Sequence, residues 1–295
     1  MESSAHAEPP CLATVATDRD DCPYMEDQLR QKDTLTEVPV KQAPAASMHP
    51  LLLAAACKGS LKELNYLLNW EEAHAQPNMK PSQEFLDLLA AYSSGRCTNQ
   101  SLAMQRAAAD VEEGATMQAP SAAALLEGVT TEGDTVLHVV AAHGGGDDFV
   151  SCANLIHGKD KNFLYMQNKK GDTPLHCAAR AGKSQMVAHV IDLARVDLRV
   201  EDLLRKENNN KETALHEAVR IGDKGIVKEL LRADPELACF PTNGTSLMYL
   251  AILLKEDNIA STLYADSKNN VLSYSGPHGQ NALHAAVLRG TEMRR

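Results

Sequence analysis

A twelve-residue pattern recurs along this 295-residue chain, and it restricts the possible folds more than any other feature. GDTPLHCAARAG (171–182) is echoed by GDTVLHVVAAHG (133–144), KETALHEAVRIG (211–222) and GQNALHAAVLRG (279–290). GTSLMYLAILLK (244–255) is a weaker copy and PLLLAAACKG (50–59) a degenerate first one. His138, His176, His216, Tyr249 and His284 anchor the frame, at steps of 38, 40, 33 and 35 residues. A glycine follows each histidine six positions later, at Gly144, Gly182, Gly222 and Gly290. Self-similarity at a period of about 33 residues marks a stack of small structural units rather than one closed core.

Each copy is followed by a second helical signal. Met186, Val187, Val190 and Ile191 are spaced i, i+1, i+4, i+5. Ile226, Val227, Leu230 and Leu231 repeat that spacing, as do Ile259, Ala260, Leu263 and Tyr264. Such spacing puts one apolar stripe on a helix. The unit is thus expected to be a short helix, a glycine stop and a longer amphipathic helix, joined to the next by polar turns such as 168–170 and 208–210. Thr173 suits an N-cap and Pro174 a first helical position, where its missing N–H costs nothing. Gly182 and Gly222 suit the left-handed residue that ends a helix, and Gly144 and Gly290 hold the same place in the frame. A unit of this size cannot bury its own apolar face, so it must stack on copies of itself. The expected fold is an all-α solenoid.

The TPLH-AA-x-x-G pattern resembles the ankyrin repeat over residues 48–76 and 128–295. An opening repeat led by Met48-His49-Pro50-Leu51-Leu52, then an insertion and long gaps between repeats, is similar to the plant ankyrin membrane proteins of the accelerated-cell-death type. That resemblance implies a helix–turn–helix solenoid facing the cytosol, with roles in defence and stress signalling through protein partners. It also implies a following membrane region, which has no counterpart before Arg295. The last repeat is expected to stop after its first helix. Residues 1–47, rich in Pro, Ser, Thr and acidic residues, are expected to be a disordered tail. Residues 77–127 read as an insertion, partly helical or disordered, with a candidate helix over 82–92.

Composition limits the function. Hydrophobic residues make up 44% of the chain but aromatics only 4%, which suits closely packed small helices. A formal net charge of −10 argues against a general nucleic-acid or anionic-membrane binder. The seven cysteines (11, 22, 57, 97, 152, 177 and 239) form no CxxC pair, so neither a disulfide framework nor a zinc knuckle is expected. The longest apolar runs fall well short of the roughly 20 residues that cross a bilayer.

Local hints of chemistry fail on spacing. His216-Glu217 begins like a zinc-protease motif, but Arg220 stands where its second histidine belongs. Gly182-Lys183-Ser184 resembles the end of a phosphate loop but has Cys177 where a glycine is needed. The framework histidines, one per unit, should form a ladder about 8–10 Å in pitch rather than a metal cage. Cys177 beside His176 is a conceivable nucleophile pair, yet other units fill its position with Val139, Glu217, Leu250 and Ala285. No catalytic residue, cofactor or metal is therefore expected. The expected role is a protein-interaction scaffold, cytoplasmic for this chain and at the cytosolic face of the plasma membrane if the related architecture applies. Turn side chains free of the stacking frame are the candidate contact surface: Lys169, Lys170, Asp172, Asn210, Lys211, Glu212, Asn243 and Gln280. The residues expected to build the frame are His138, Gly144, Thr173, Pro174, His176, Gly182, His216, Gly222, His284 and Gly290.

Overall fold

A computed structural model describes residues 46–69, 80–93, 122–240, 244–266 and 272–292. Nearly all of the N-terminal tail, the middle of the insertion and Asn243 lie outside these residues. The described elements are helical, with no strand among them, and they form an all-α solenoid of stacked helix pairs.

The helices follow the sequence pattern. In chain order they are α1 (Pro50–Lys58), α2 (Leu61–Leu68), α3 (Gln83–Ser93) and α4 (Ala122–Leu126). Next come α5 (Val136–His143), α6 (Asp147–Lys159), α7 (Pro174–Arg180), α8 (Ser184–Val196) and α9 (Val200–Leu204). The last are α10 (Ala214–Arg220), α11 (Lys224–Ala233), α12 (Leu247–Leu253), α13 (Asp257–Asp266) and α14 (Ala282–Glu292). Helices α1, α5, α7, α10, α12 and α14 pack on one another in an inner row. Helices α2, α6, α8, α11 and α13 form the outer row, each against the inner helix that precedes it.

Leu137, Leu175 and Leu215 are fully buried, as are Ala178, Ala179 and Ala218 beside them. The small alanines let the inner helices approach closely, and each buried leucine is worth about 1.5–3 kcal/mol. In the outer row, Asp223 caps α11 by accepting from the N–H groups of Gly225 (2.8 Å) and Ile226 (3.0 Å). Ile226, Val227, Leu230 and Leu231 of α11 are buried, as the two-column stripe requires. The long repeat gaps hold additional packed structure. A 3₁₀ turn at Lys161–Leu164 buries Phe163 and Leu164, and α9 buries Leu203 and Leu204. In the insertion, α3 buries Phe85 in the main core, and the Ser82 hydroxyl donates to Glu63 of α2 at 3.0 Å.

The framework glycines divide. Gly182 and Gly222 take the left-handed conformation at the end of α7 and α10, with φ of 67° and 73°. Gly144 does not, having φ −51°; its lack of a side chain matters for space, since a Cβ there would sit 2.7 Å from Met186 Cε. Gly290 corrects the expectation outright. The helix α14 runs through it to Glu292, so it is no stop signal.

A second glycine position lies in the turns. Gly171 has φ 77°, and a Cβ on it would fall 2.7 Å from the backbone nitrogen of Asn209 in the neighbouring turn. Lys211 occupies the same place one unit later with φ 62°, in a region where a side chain costs about 1–2 kcal/mol. Gly171→Ala is expected to lose about 2–3 kcal/mol of stability through strain and clash together. Lys211→Gly should be neutral or stabilising. Urea unfolding of both variants checks the pair, and equal losses would contradict the assignment.

Candidate functional site

The polar interior of the stack begins at His138, His176 and His216. Thr135, Thr173 and Thr213 cap α5, α7 and α10, and the histidine three residues on completes a capping box with each. The N–H groups of Thr135 (3.2 Å), Thr173 (3.2 Å) and Thr213 (3.1 Å) donate to Nδ1 of His138, His176 and His216. Nδ1 therefore carries a lone pair, and the ring proton must be on Nε2. Each Nε2 donates to a backbone carbonyl of the next unit: Asp172 at 2.9 Å, Glu212 at 3.1 Å and Thr245 at 3.0 Å. Each acceptor immediately precedes the next helix cap. In the fifth unit Tyr249 replaces histidine, and its hydroxyl donates to the side chain of Gln280, which holds the same pre-cap position.

Burial pushes all three histidines below their ordinary pKa, His216 to about 4. Both nitrogens are committed within the protein, so none offers a lone pair to a metal. Among the described residues, no three His, Cys, Asp or Glu side chains come together as a metal site. Burial also pushes the Cys177 thiol up to about 12, so it is protonated and a poor nucleophile beside His176.

Beneath the turns runs a second set of contacts. Asn168 accepts from the N–H groups of Lys170 (2.9 Å) and Asp172 (3.0 Å) and donates to Asp134 of the preceding unit at 2.7 Å. Asn208 does the same one unit later, with Asn210, Glu212 and Asp172 as partners. Arg180 spans Asp172 (2.7 Å) and Glu217 (2.9 Å), and Arg220 joins Glu217 (3.1 Å) to Glu212. Bonding to Glu217 and Asp172 raises the Arg180 pKa further.

These contacts sort the candidate surface residues. Asp172 (1% exposed) and Glu212 (5% exposed) are not open turn side chains: they are buried as partners of Arg180 and Arg220. Gln280 is half-buried and engaged by Tyr249. All three hold the pre-cap position, which the stack itself uses. Lys169, Lys170, Asn210 and Lys211 are exposed. The backbone of Lys169 and Lys170 is bonded between units, with Lys169 N–H donating to Glu132 and Asn209 N–H to Lys170, both at 3.0 Å, while Asn210 and Lys211 N–H groups donate to Asn208 within their own turn. The Lys169 ammonium donates to the Thr131 carbonyl at 2.7 Å, and that of Lys170 lies 3.4 Å from Glu132.

Of the frame residues, Thr173, Pro174, His176 and His216 are buried in the stack. His284 is set apart: its Nδ1 accepts from Asn281 N–H at 3.2 Å, but its ring is exposed. The bonding roles of Asn168, Asn208, Arg180 and Arg220 were not read from the sequence. Their signal was their recurrence, as Asn168 with Asn208 and Arg180 with Arg220.

Comparison with known families agrees with this geometry. Residues 170–202 and 210–239 match the family model described as "Ankyrin repeat". The chain contains ankyrin repeats. It is 29% identical over 129 residues to the nuclear factor NF-kappa-B p105 subunit of Rattus norvegicus. It is 25% identical over 128 residues to that of Gallus gallus. Each alignment takes in 43% of this chain and 13% of the relative, so this chain matches only a small part of either protein. These comparisons establish the repeats and do not extend to the plant membrane family. Among the described residues no helix is long and apolar enough to cross a membrane.

Neutral buried histidines make the stacked ankyrin repeats acid-sensitive. The unfolded chain protonates histidine near pH 6.5, whereas the folded rings resist until lower pH, near 4 for His216. The unfolded state thus binds more protons between these values, and stability present above pH 6.5 is lost as pH falls through the window. Each such group contributes a slope of up to about 1.4 kcal/mol per pH unit. Urea unfolding between pH 7 and 4 should show this decline, and His216→Gln should make it shallower. An unchanged slope in that variant would contradict a neutral buried His216.

Proposed function

We propose that this chain is a non-catalytic protein-interaction scaffold whose contact edge includes Lys169, Lys170, Asn210 and Lys211. Ankyrin repeats are interaction modules, and this edge has the property such a surface needs: exposed side chains on backbone that is held in place. That is the observation on which the reading rests. Because neighbouring turns are hydrogen-bonded to each other, little backbone entropy is lost when a partner binds. Asp172, Glu212 and Gln280 support the edge from below rather than touching a partner. Asn243 extends the candidate edge into residues outside those described. The partner is another protein, with no nucleic acid and no cofactor, and the setting is cytoplasmic.

The similarity in layout to plant accelerated-cell-death-type proteins supports a second, narrower reading. In it the repeats are the cytosolic part of a membrane-anchored protein in defence or stress signalling, at the plasma membrane. Reading the transcript beyond Arg295 tests it: an apolar multi-helix extension supports the anchored form, and its absence removes that reading.

Charge reversal tests the contact edge. Lys169→Glu, Lys170→Glu and Lys211→Glu together are expected to weaken capture of partners roughly tenfold or more. Reversal of Lys228 and Arg232, exposed on α11, should leave capture unchanged. Equal capture by both variants at matched stability would overturn the assignment of the edge.

A further inference from the structure

The polar ties of the third and fourth units spend their acceptors inside the stack and leave donors facing out. Arg180 donates from Nη2 to Asp172 at 2.7 Å and from Nε to Glu217 at 3.2 Å. Arg220 donates from Nη1 to Glu217 at 3.1 Å and from Nη2 to Glu212. All three carboxylates are buried, yet the two arginine side chains stay 41% and 37% exposed. Among the described residues, Nη1 of Arg180 and Nε of Arg220 donate to nothing, so each guanidinium keeps N–H groups for another molecule. Asp172 and Glu212 close the turns that carry Lys169, Lys170 and Lys211, and Asn209 N–H joins these turns through the Lys170 carbonyl. The five cations therefore lie on two successive, bonded units. The ammonium groups of Lys169 and Lys170 are each engaged on one side, by the Thr131 carbonyl and by Glu132, an exposed acid. Lys211 has no ion-pair partner among the described residues and stands exposed on left-handed backbone.

We propose that this edge takes an acidic segment of a partner protein, whose carboxylates accept from Lys169, Lys170, Lys211 and the unspent N–H groups of Arg180 and Arg220. The proposal rests on the scaffold reading above and names the chemistry of the partner. An ionised carboxylate only accepts, so it fits a surface whose own carboxylates are already used inside. The two arginines are offset by three buried acids, so they supply direction rather than net charge. Net attraction comes from the three lysines against Glu132. A surface charge reaches about 10 Å at about 0.1 M salt, so a short acidic segment feels these lysines and little of the rest of the chain. A long polyanion would also meet that rest, in a chain whose formal net charge is −10. Stacked helices lie about 8–10 Å apart, the span of about three extended residues, so acids three positions apart meet successive turns.

The full chain titrated with a labelled peptide of about ten residues, with Glu at every third position, tests the proposal. A saturable rise in anisotropy is expected, weakening as salt is raised to about 0.5 M. The same peptide with Gln in place of Glu should not saturate. Lys169→Gln, Lys170→Gln and Lys211→Gln together should weaken binding roughly tenfold, while Lys228→Gln with Arg232→Gln should leave it unchanged. In ¹⁵N spectra the guanidinium signals of Arg180 and Arg220 should move on binding, and those of Arg232 should not. Absence of saturable binding, equal binding of the Gln peptide, or binding indifferent to the triple variant would overturn the proposal. So would unmoved Arg180 and Arg220 signals, or tighter binding of a single-stranded oligonucleotide of similar length. If charge reversal of the edge abolishes partner capture but the acidic peptide does not bind, the acidic class falls and the scaffold reading stands.

Discussion

The stack depends on one buried hydrogen bond, repeated. From three successive units, at His138, His176 and His216, a neutral imidazole Nε2–H reaches the carbonyl that precedes the helix cap of the next. The bond has two parts that must agree. Within the unit, the threonine N–H fixes the ring orientation and the tautomer; between units, the proton so placed meets an acceptor. A buried carbonyl or imidazole without its partner costs about 1–3 kcal/mol, so a unit cannot shift or rotate against its neighbour without breaking several such pairs at once. The leucines and alanines supply most of the burial energy, but they are non-directional. The histidines give the stack its register.

The Arg–carboxylate chain under the turns adds to this constraint. Asp172, Glu217 and Glu212 are buried carboxylates, and removing their arginine partners would strand charge in the stack. Asp172 and Glu212 belong to the same turns as the exposed Lys169, Lys170 and Lys211. The proposed contact edge and the stabilising network are therefore two sides of the same turns. On that proposal a partner would meet side chains whose backbone is already held by the turns.

Much of this was legible in the sequence because it is periodic. The TPLH segments gave the inner helices, the i, i+1, i+4, i+5 pairs gave the outer ones, and Thr173, Pro174, Gly182 and Gly222 gave their ends. What was not legible depends on neighbours in space. Asp172 and Glu212 read as ordinary polar turn residues, and only the fold shows that Arg180 and Arg220 bend back to bury them. Gly290 has the spacing of a stop signal but does not act as one, and α14 runs past it. Lys211 in a left-handed conformation was invisible for a like reason: the turn geometry is set by the flanking unit, and the residue complies at a cost. Tyr249 shows the reverse case, a changed residue that keeps the tie by reaching the side chain rather than the backbone of the pre-cap position.

Long-range ¹H–¹⁵N spectra of the histidine rings test the central claim most directly. At neutral pH His138, His176 and His216 should each show the neutral Nε2–H tautomer, with the ring proton slow to exchange, and His216 should keep it down to about pH 5. His284, which lacks the burial of the others, should exchange its ring proton freely with water. Protonated imidazolium at His216 near pH 6, or a proton on Nδ1 of His176 or His216, would contradict the account of how the units are held together.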